Sequence, residues 1–248
     1  IDGHLRWAEG DGQSPNAQTL LACRGMSRAL ALDFDGAAGD AALLEAKSPG
    51  GRAAAGLRGA IAFWRGQWED ADRELVAARA VPPAGHAKGA PVPPNANHGL
   101  DAQRVEIARE RGDAAGAAAL AEALAQERPT HRSARIVIAC VRGEQGSPDA
   151  AVAELDAIAA QWPFSPATLA SVAFARSRVE KARGNVSQAL SALAPALRSP
   201  HAAIRQLAHL EAGDAAAALG DPDAARRHWS DALALGPHSS AGARAASR

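Results

Sequence analysis

The chain of 248 residues contains no tyrosine, only four phenylalanines and only two cysteines. Strand-forming residues are therefore sparse, and the absence of a convincing run of alternating apolar and polar residues argues against a β-sheet protein. No run of 18 apolar residues is present, so the sequence predicts no membrane-spanning helix. Cys23 and Cys140 lack the neighbours of a zinc motif, and we interpret both as small core residues.

An excess of charge of either sign is also lacking, since 27 acidic residues balance 27 basic ones. This balance argues against a broad nucleic-acid footprint, and no nucleic-acid partner is expected. The sequence has no phosphate-binding loop, nucleophile elbow, His-Glu-x-x-His or dinucleotide fingerprint, so we predict neither an enzyme nor a cofactor or metal site. His201 and His209 lie eight residues apart and are interpreted as surface or partly packed imidazoles. Residues 33–40, rich in glycine and aspartate, are predicted to form a solvated loop.

What the chain does contain is a cassette that recurs five times, with its first residues 34 to 46 positions apart. It comprises a glycine, an alanine five residues later, and small or apolar residues four and seven beyond that alanine. Four copies add a proline twelve beyond the alanine. Glycine can adopt the positive φ that ends a helix, proline stops the next helix, and the positions between share one helical face. The cassette predicts a stack of helical hairpins. Its glycines are Gly66, Gly112, Gly146, Gly184 and Gly220.

From about Ala53 to Pro237 the chain resembles the tetratricopeptide repeat family, in which a Gly-x4-Ala turn joins helix A to helix B. The segment from Leu219 to Pro237 is the best match. Val105 departs from the pattern, because the family favours a small residue there. The resemblance implies an all-α protein, a right-handed α-α superhelix of about five to six hairpins. It also implies a non-catalytic module that binds a peptide or protein segment in its concave groove.

The predicted organisation has three parts. Residues 1–51 form an irregular N-terminal cap with an atypical hairpin. Residues 52–237 form the solenoid, with a Pro/Gly-rich insertion at 82–99 that would act as a lid if it folded across the groove. Residues 238–248 are predicted to be a flexible tail. Pro195 falls inside a B helix and is expected to kink it.

The resemblance also implies which A-helix residues line the groove. Gly56 and Ala60 stand where chaperone-binding members carry the lysine and asparagine of a carboxylate clamp, so such a clamp is not expected. Two alternatives stay open: the aromatic pair at 63–64 packs under the N-terminal segment, and the basic pair at 178 and 181 forms a solvated face with Glu180. The candidate peptide-binding residues are Phe63, Trp64, Glu106, Arg109, Arg178 and Lys181.

Two other functions compete with the interaction module. Because the chain begins with Ile1 rather than methionine, it is also interpreted as a sensor or regulatory segment of a larger signalling or transcription-regulating protein. A cell-envelope assembly factor, similar to bacterial repeat proteins anchored by an N-terminal helix, is the second alternative. The predicted compartment is the cytoplasm, or the periplasm if an upstream signal was removed. The sequence leaves self-association open.

Overall fold

The computed structural model describes residues 15–82, 98–127 and 130–248, and within these ranges the chain forms helices and no strand. The all-α class predicted from the cassette is therefore confirmed. Consecutive helices pair into six hairpins, and a short last helix follows them. The helices are α1 Pro15–Leu30, α2 Phe34–Lys47, α3 Arg52–Arg65, α4 Trp68–Ala80, α5 His98–Glu110, α6 Ala114–Glu127, α7 Arg132–Glu144, α8 Pro148–Gln161, α9 Pro166–Ala182, α10 Val186–Ala192, α11 Ala194–Leu197, α12 Ala202–Ala218, α13 Pro222–Leu235 and α14 Ser240–Ala246.

The turns inside the hairpins follow the cassette. All five cassette glycines have positive φ, from 74° to 108°, which is the conformation that closes an A helix. Asp113 and Asp221 then cap the B helices, with their carboxylates accepting from the backbone N–H three residues later at 2.8 and 2.9 Å. Ser147 and Asn185, which follow Gly146 and Gly184, make no side-chain capping bond.

The predicted loop at 33–40 is wrong, because α2 begins at Phe34. Asp33 caps this helix by accepting from the N–H of Gly36 at 2.9 Å. Asp40, predicted to be solvated, is 1% exposed and accepts hydrogen bonds from the guanidinium groups of Arg24 and Arg28. The helix forms because small apolar side chains on one of its faces pack against the core between α1 and α3. Gly36 and Gly39, which favour a loop in the sequence, lie within this helix.

The core lies between neighbouring helices and is built mostly from alanine and leucine. The cassette positions four and seven beyond the alanine supply its large members, such as Leu155 and Ile158, both fully buried. Val105, which departs from the family pattern, is also fully buried, because it packs against the small side chains of Ala117 and Ala121. A larger residue is thus accommodated by smaller ones opposite it.

Pro195 interrupts the fifth hairpin as predicted, since α10 ends at Ala192 and α11 begins at Ala194. The predicted insertion falls outside the described residues at 83–97, and its end at 98–99 belongs to α5. The prediction of a flexible tail is wrong at 240–246, which forms α14. Two buried alanines anchor this helix against the last hairpin, which explains why it is ordered.

The first and last hairpins touch each other. Leu32, at the turn of the first hairpin, lies against Gly236, where an added Cβ would come within 2.7 Å of the leucine side chain. A second contact joins the elements next to these: Ser240 of α14 lies against Gly66 at the end of α3 in the second hairpin, where an added Cβ would be 3.0 Å from the serine Cβ. We call these two contacts the seam. Because of the seam, the two ends of the described stack meet, and its concave side becomes a cavity that is partly open to solvent.

Candidate functional site

The A helices and α14 surround a central cavity of about 280 Å³. Among the predicted contact residues, Phe63, Trp64, Glu106 and Arg178 line this cavity. Arg109 and Lys181 do not, but they line a neighbouring concavity of about 340 Å³, which shares Arg178 with the first. The structure therefore brings all six candidates to one side of the molecule, in two adjoining spaces.

One wall of the central cavity is aromatic. The Phe63 ring meets Trp64 edge-on at a centroid distance of 5.1 Å and meets Trp68 at 5.6 Å. Trp64 also packs against the core of the N-terminal hairpin. The alternative that the aromatic pair packs under the N-terminal segment therefore holds for Trp64. Sequence reasoning missed Trp68 as a cavity residue. The signal was its place at the first position of α4, directly after the turn that brings it back toward Phe63.

The opposite wall is an ionic network centred on Glu106. Its carboxylate accepts from Arg178 at 2.6 Å and from Arg109 at 2.8 Å, and Arg178 also donates to Glu110 at 3.2 Å. Burial would raise the pKa of Glu106, but the two guanidinium groups outweigh burial and lower that pKa. Burial likewise opposes the charge of Arg178, but Glu106 raises the pKa of that guanidinium. Both groups are held ionised.

The network extends into the second concavity. Arg109 donates to Glu144 at 2.9 Å, and Lys181, half exposed, lies 3.7 Å from Glu211. Glu180 is buried and accepts from Arg183 and Asn185, so the predicted solvated face with Glu180 is wrong. The acidic members are Glu106, Glu110, Glu144 and Glu211, and the basic members are Arg109, Arg178, Lys181 and Arg244.

Because four carboxylates face four cations, the network is balanced and its members bind one another. This arrangement is a poor clamp for an acidic partner, since any anion must compete with the carboxylates already in place. It is a better source of fixed polar contacts beside the aromatic wall, because each side chain is held in one position by its neighbours.

Helix α14 closes the cavity on the remaining side. Arg244 donates to Glu110 at 3.3 Å, across 134 residues of sequence. The side chain of Gln206, buried in α12, donates to the carbonyl of Gly236 and accepts from the Ser239 hydroxyl at 2.6 Å. Ser239 in turn caps α14 by accepting from the N–H of Gly242 at 3.0 Å. The sequence signal for this helix was the cap followed by alanines four residues apart.

The two cysteines differ in environment. Cys140 lies in the cavity wall and is 2% exposed, and burial raises the pKa of its thiol to about 12. Cys23, interpreted as a core residue, is exposed instead. A thiol with so high a pKa is not a nucleophile near neutral pH.

We therefore expect iodoacetamide at pH 8 to label Cys23 rapidly and to leave Cys140 unmodified while the protein is folded. Mass spectrometry of tryptic peptides measures the two rates. A Cys23→Ser variant in urea provides the control, because Cys140 should become reactive when the protein unfolds. Equal labelling of both thiols in the native protein would contradict the buried position of Cys140.

Within the described residues, no helix is both long and apolar enough to cross a membrane. No protein-family model matches the chain, and the search of curated proteins found no relative. Solved structures do match. A tetratricopeptide repeat protein from Parabacteroides merdae is 12% identical, with a TM-score of 0.55 and coverage of 90% of this chain and 80% of that one.

PilW, a widely conserved type IV pilus biogenesis factor, is 16% identical, with a TM-score of 0.50 and coverage of 91% of this chain and 96% of that one. A chain in the APC/C hetero-tetramer Cut9–Hcn1 is 13% identical, with a TM-score of 0.54. The match covers 99% of this chain and 48% of that one. At such identities the likeness shows the fold alone. The chain has a tetratricopeptide repeat fold, as the cassette predicts.

Proposed function

We propose that the protein is a non-catalytic interaction module that binds a segment of another protein on its concave side. The observation that carries the proposal is the partly exposed aromatic wall of Phe63, Trp64 and Trp68 beside a fixed ionic network. Large rigid rings next to preorganised polar groups are typical of the centres of protein interfaces. The repeat fold supports this function because it displays such groups over an extended concave surface.

The size of the cavity limits what it holds. About 280 Å³ lies at the lower end of small-ligand pockets, so the closed form has room for about one or two large side chains. A longer segment needs the space that α14 occupies. The proposed binding event therefore includes the displacement of α14, with the incoming segment contacting the aromatic wall.

The contacts of α14 indicate the chemistry of the segment. Small side chains, Ala241 and Ala245, face the last hairpin, and a basic one, Arg244, reaches Glu110. A partner helix with small residues on one face and a basic residue beside them fits the same surface. The Arg244 side chain is 39% exposed, so its pair with Glu110 costs little to break. Such a contact suits an element that moves aside.

The test is an affinity capture with chemical crosslinking from the native lysate. We expect the double substitution Phe63→Ala/Trp64→Ala to reduce capture by at least about tenfold, because each lost ring removes an anchor contact. Phe164→Ala is the matched control, since this ring is 95% exposed and lies outside the cavity. Arg244→Glu should increase capture, because it places like charges at Glu110 and loosens α14. Circular dichroism establishes that each variant is folded.

Crosslinks are then mapped by mass spectrometry. Crosslinks from the partner to α3 and α5, lost in the double variant, support the proposed site. Capture that is equal in the double variant and the wild type contradicts it, and so does capture that Phe164→Ala alone removes. A wild-type protein that captures nothing contradicts the interaction module itself.

A second candidate is the assembly of a cell-envelope structure. The observation that favours it is the match in length with PilW. That match covers 91% of this chain and 96% of PilW. Deletion of the gene is then expected to reduce assembled surface fibres, with restoration by the wild-type chain but not by Phe63→Ala/Trp64→Ala. Normal fibres in the deletion strain would exclude this candidate while leaving the interaction module standing.

A further inference from the structure

Two histidines and an aspartate meet on the last hairpin, away from the central cavity. His209 lies on α12, and His228 and Asp231 lie one turn apart on α13. The Nδ1 atoms of the two histidines are 3.1 Å apart, and His209 Nδ1 is 3.6 Å from an Asp231 carboxylate oxygen. All three potential ligand atoms lie within 4.8 Å of one another. We call this group the histidine–aspartate cluster.

The spacing of these atoms is close to that of ligands around one small cation. Zinc binds nitrogen and oxygen ligands at about 2.0–2.2 Å, and at a tetrahedral angle two such ligands are separated by about 3.3 Å. Two of the three separations, 3.1 and 3.6 Å, bracket that value, and the third, between His228 and Asp231, is within 4.8 Å. Two imidazoles and a carboxylate are a donor set that suits zinc and neighbouring divalent transition metals.

The surroundings of the cluster allow a metal to enter. Asp231 is more than half exposed, whereas His209 is mostly buried, so the site has one fixed end and one end open to solvent. Arg205, one turn before His209, is a cation that opposes metal binding through its charge, but its guanidinium donates to the Ser199 carbonyl at 2.7 Å. That hydrogen bond holds the positive charge at the start of α12.

In sequence, the histidine that shares a helical face with His209 is His201, eight residues earlier. The structure instead pairs His209 with His228, on the opposite helix of the hairpin. The available signal was the His-x-x-Asp spacing in α13, which places both side chains on one helical face.

We propose that the histidine–aspartate cluster is a binding site for a divalent transition metal of the zinc class. His209 and His228 bind through Nδ1, Asp231 binds through one carboxylate oxygen, and the fourth position is left to water or to a ligand from another molecule. Three protein ligands with an open position are the arrangement of an accessible zinc site. The bound metal links α12 to α13 and adds a connection within the last hairpin.

The test is a titration of the full chain, prepared without a histidine tag, with zinc chloride in a non-chelating buffer. Isothermal titration calorimetry should show one site, and thermal unfolding should shift to higher temperature with zinc. His209→Ala and His228→Ala should each weaken binding by at least about tenfold, since loss of a direct ligand costs no less than loss of an outer-shell partner. Asp231→Asn should weaken it less. The matched control is His238→Ala, an exposed histidine just after the same hairpin.

Cobalt provides an independent readout, because tetrahedral Co²⁺ absorbs strongly in the visible region. A visible spectrum that forms with the wild type and His238→Ala, but not with His228→Ala, supports the site. No zinc binding at a hundredfold molar excess would overturn the proposal, and the two imidazoles would then share a proton in an ordinary hydrogen bond. Zinc binding that survives both histidine substitutions would overturn it as well.

Discussion

Replacing Arg178 with methionine should lower the free energy of unfolding by about 1–3 kcal/mol, because it leaves partly buried charged groups without their partner. Methionine keeps much of the length of the side chain but removes the cation between Glu106 and Glu110. Glu106 then keeps only Arg109 and Glu110 keeps only Arg244, so the cation that the two carboxylates share is lost and their mutual repulsion is less well screened. The pKa of Glu106 should rise as a result.

Urea denaturation followed by circular dichroism measures this loss. Arg226→Met is the matched control, because that guanidinium is 70% exposed and, among the residues that the structure describes, its ion pair is with Asp223 one turn away, so its removal should change stability by less than about 0.5 kcal/mol. The Arg178→Met protein should also lose less stability on acidification than the wild type does. The sign follows from the lowered pKa of Glu106 in the wild type: its contribution is present above the unfolded pKa and is lost as the pH falls. An Arg178→Met loss no larger than that of the control would contradict the central role of the network.

Replacing Gln206 with leucine should destabilise the last hairpin by about 2–4 kcal/mol and release α14, because the substitution removes three hydrogen bonds that each contribute about 1 kcal/mol. The Gln206 amide donates to the carbonyls of Ala232 and Gly236, and its oxygen accepts from Ser239. One side chain thus joins α12 to the end of α13 and to the cap of α14. Leucine has a similar volume but can make none of these hydrogen bonds.

Limited trypsin digestion measures the release of α14, since Arg244 lies within this helix. We expect cleavage after Arg244 to be at least about tenfold faster in Gln206→Leu than in the wild type. Ser239→Ala should have a smaller effect, near 1 kcal/mol, through loss of the cap. Gln188→Leu is the control, because Gln188 is exposed on the fifth hairpin. Cleavage after Arg244 at the wild-type rate would show that Gln206 does not hold α14.

The predictable part of the fold was the part encoded by local signals. A glycine at positive φ, a following cap and a terminal proline act within a few residues, so the bounds of the regular hairpins could be placed from the sequence. The start of α2 and the whole of α14 could not, because Gly36, Gly39 and Gly242 weaken the local helix signal. Their order depends on packing against α1, α3 and the last hairpin, which sequence periodicity does not show.

The candidate site was predictable in position but not in chemistry. The spacing to the turn glycines placed Glu106 and Arg178 on A helices, and both reach the central cavity. Their direct pairing across 72 residues depends on how α5, α7 and α9 stack, which no local pattern specifies. The same holds for Arg244, whose contact with Glu110 requires the C-terminal helix α14 to reach back to α5. Which side chains remain available to bind a partner therefore depends on tertiary contacts.

The seam also affects how the chain folds and unfolds. An open array of repeats contacts only its neighbours, so it can gain or lose hairpins one at a time from either end. Here Leu32 and Gly236 meet although they are more than 200 residues apart in sequence, and closing so long a loop has an entropy cost that is offset only when the contact forms. Closure should therefore come late in folding. With both ends engaged, stepwise fraying is suppressed, and the rate at which the seam opens should set the lifetime of the native state.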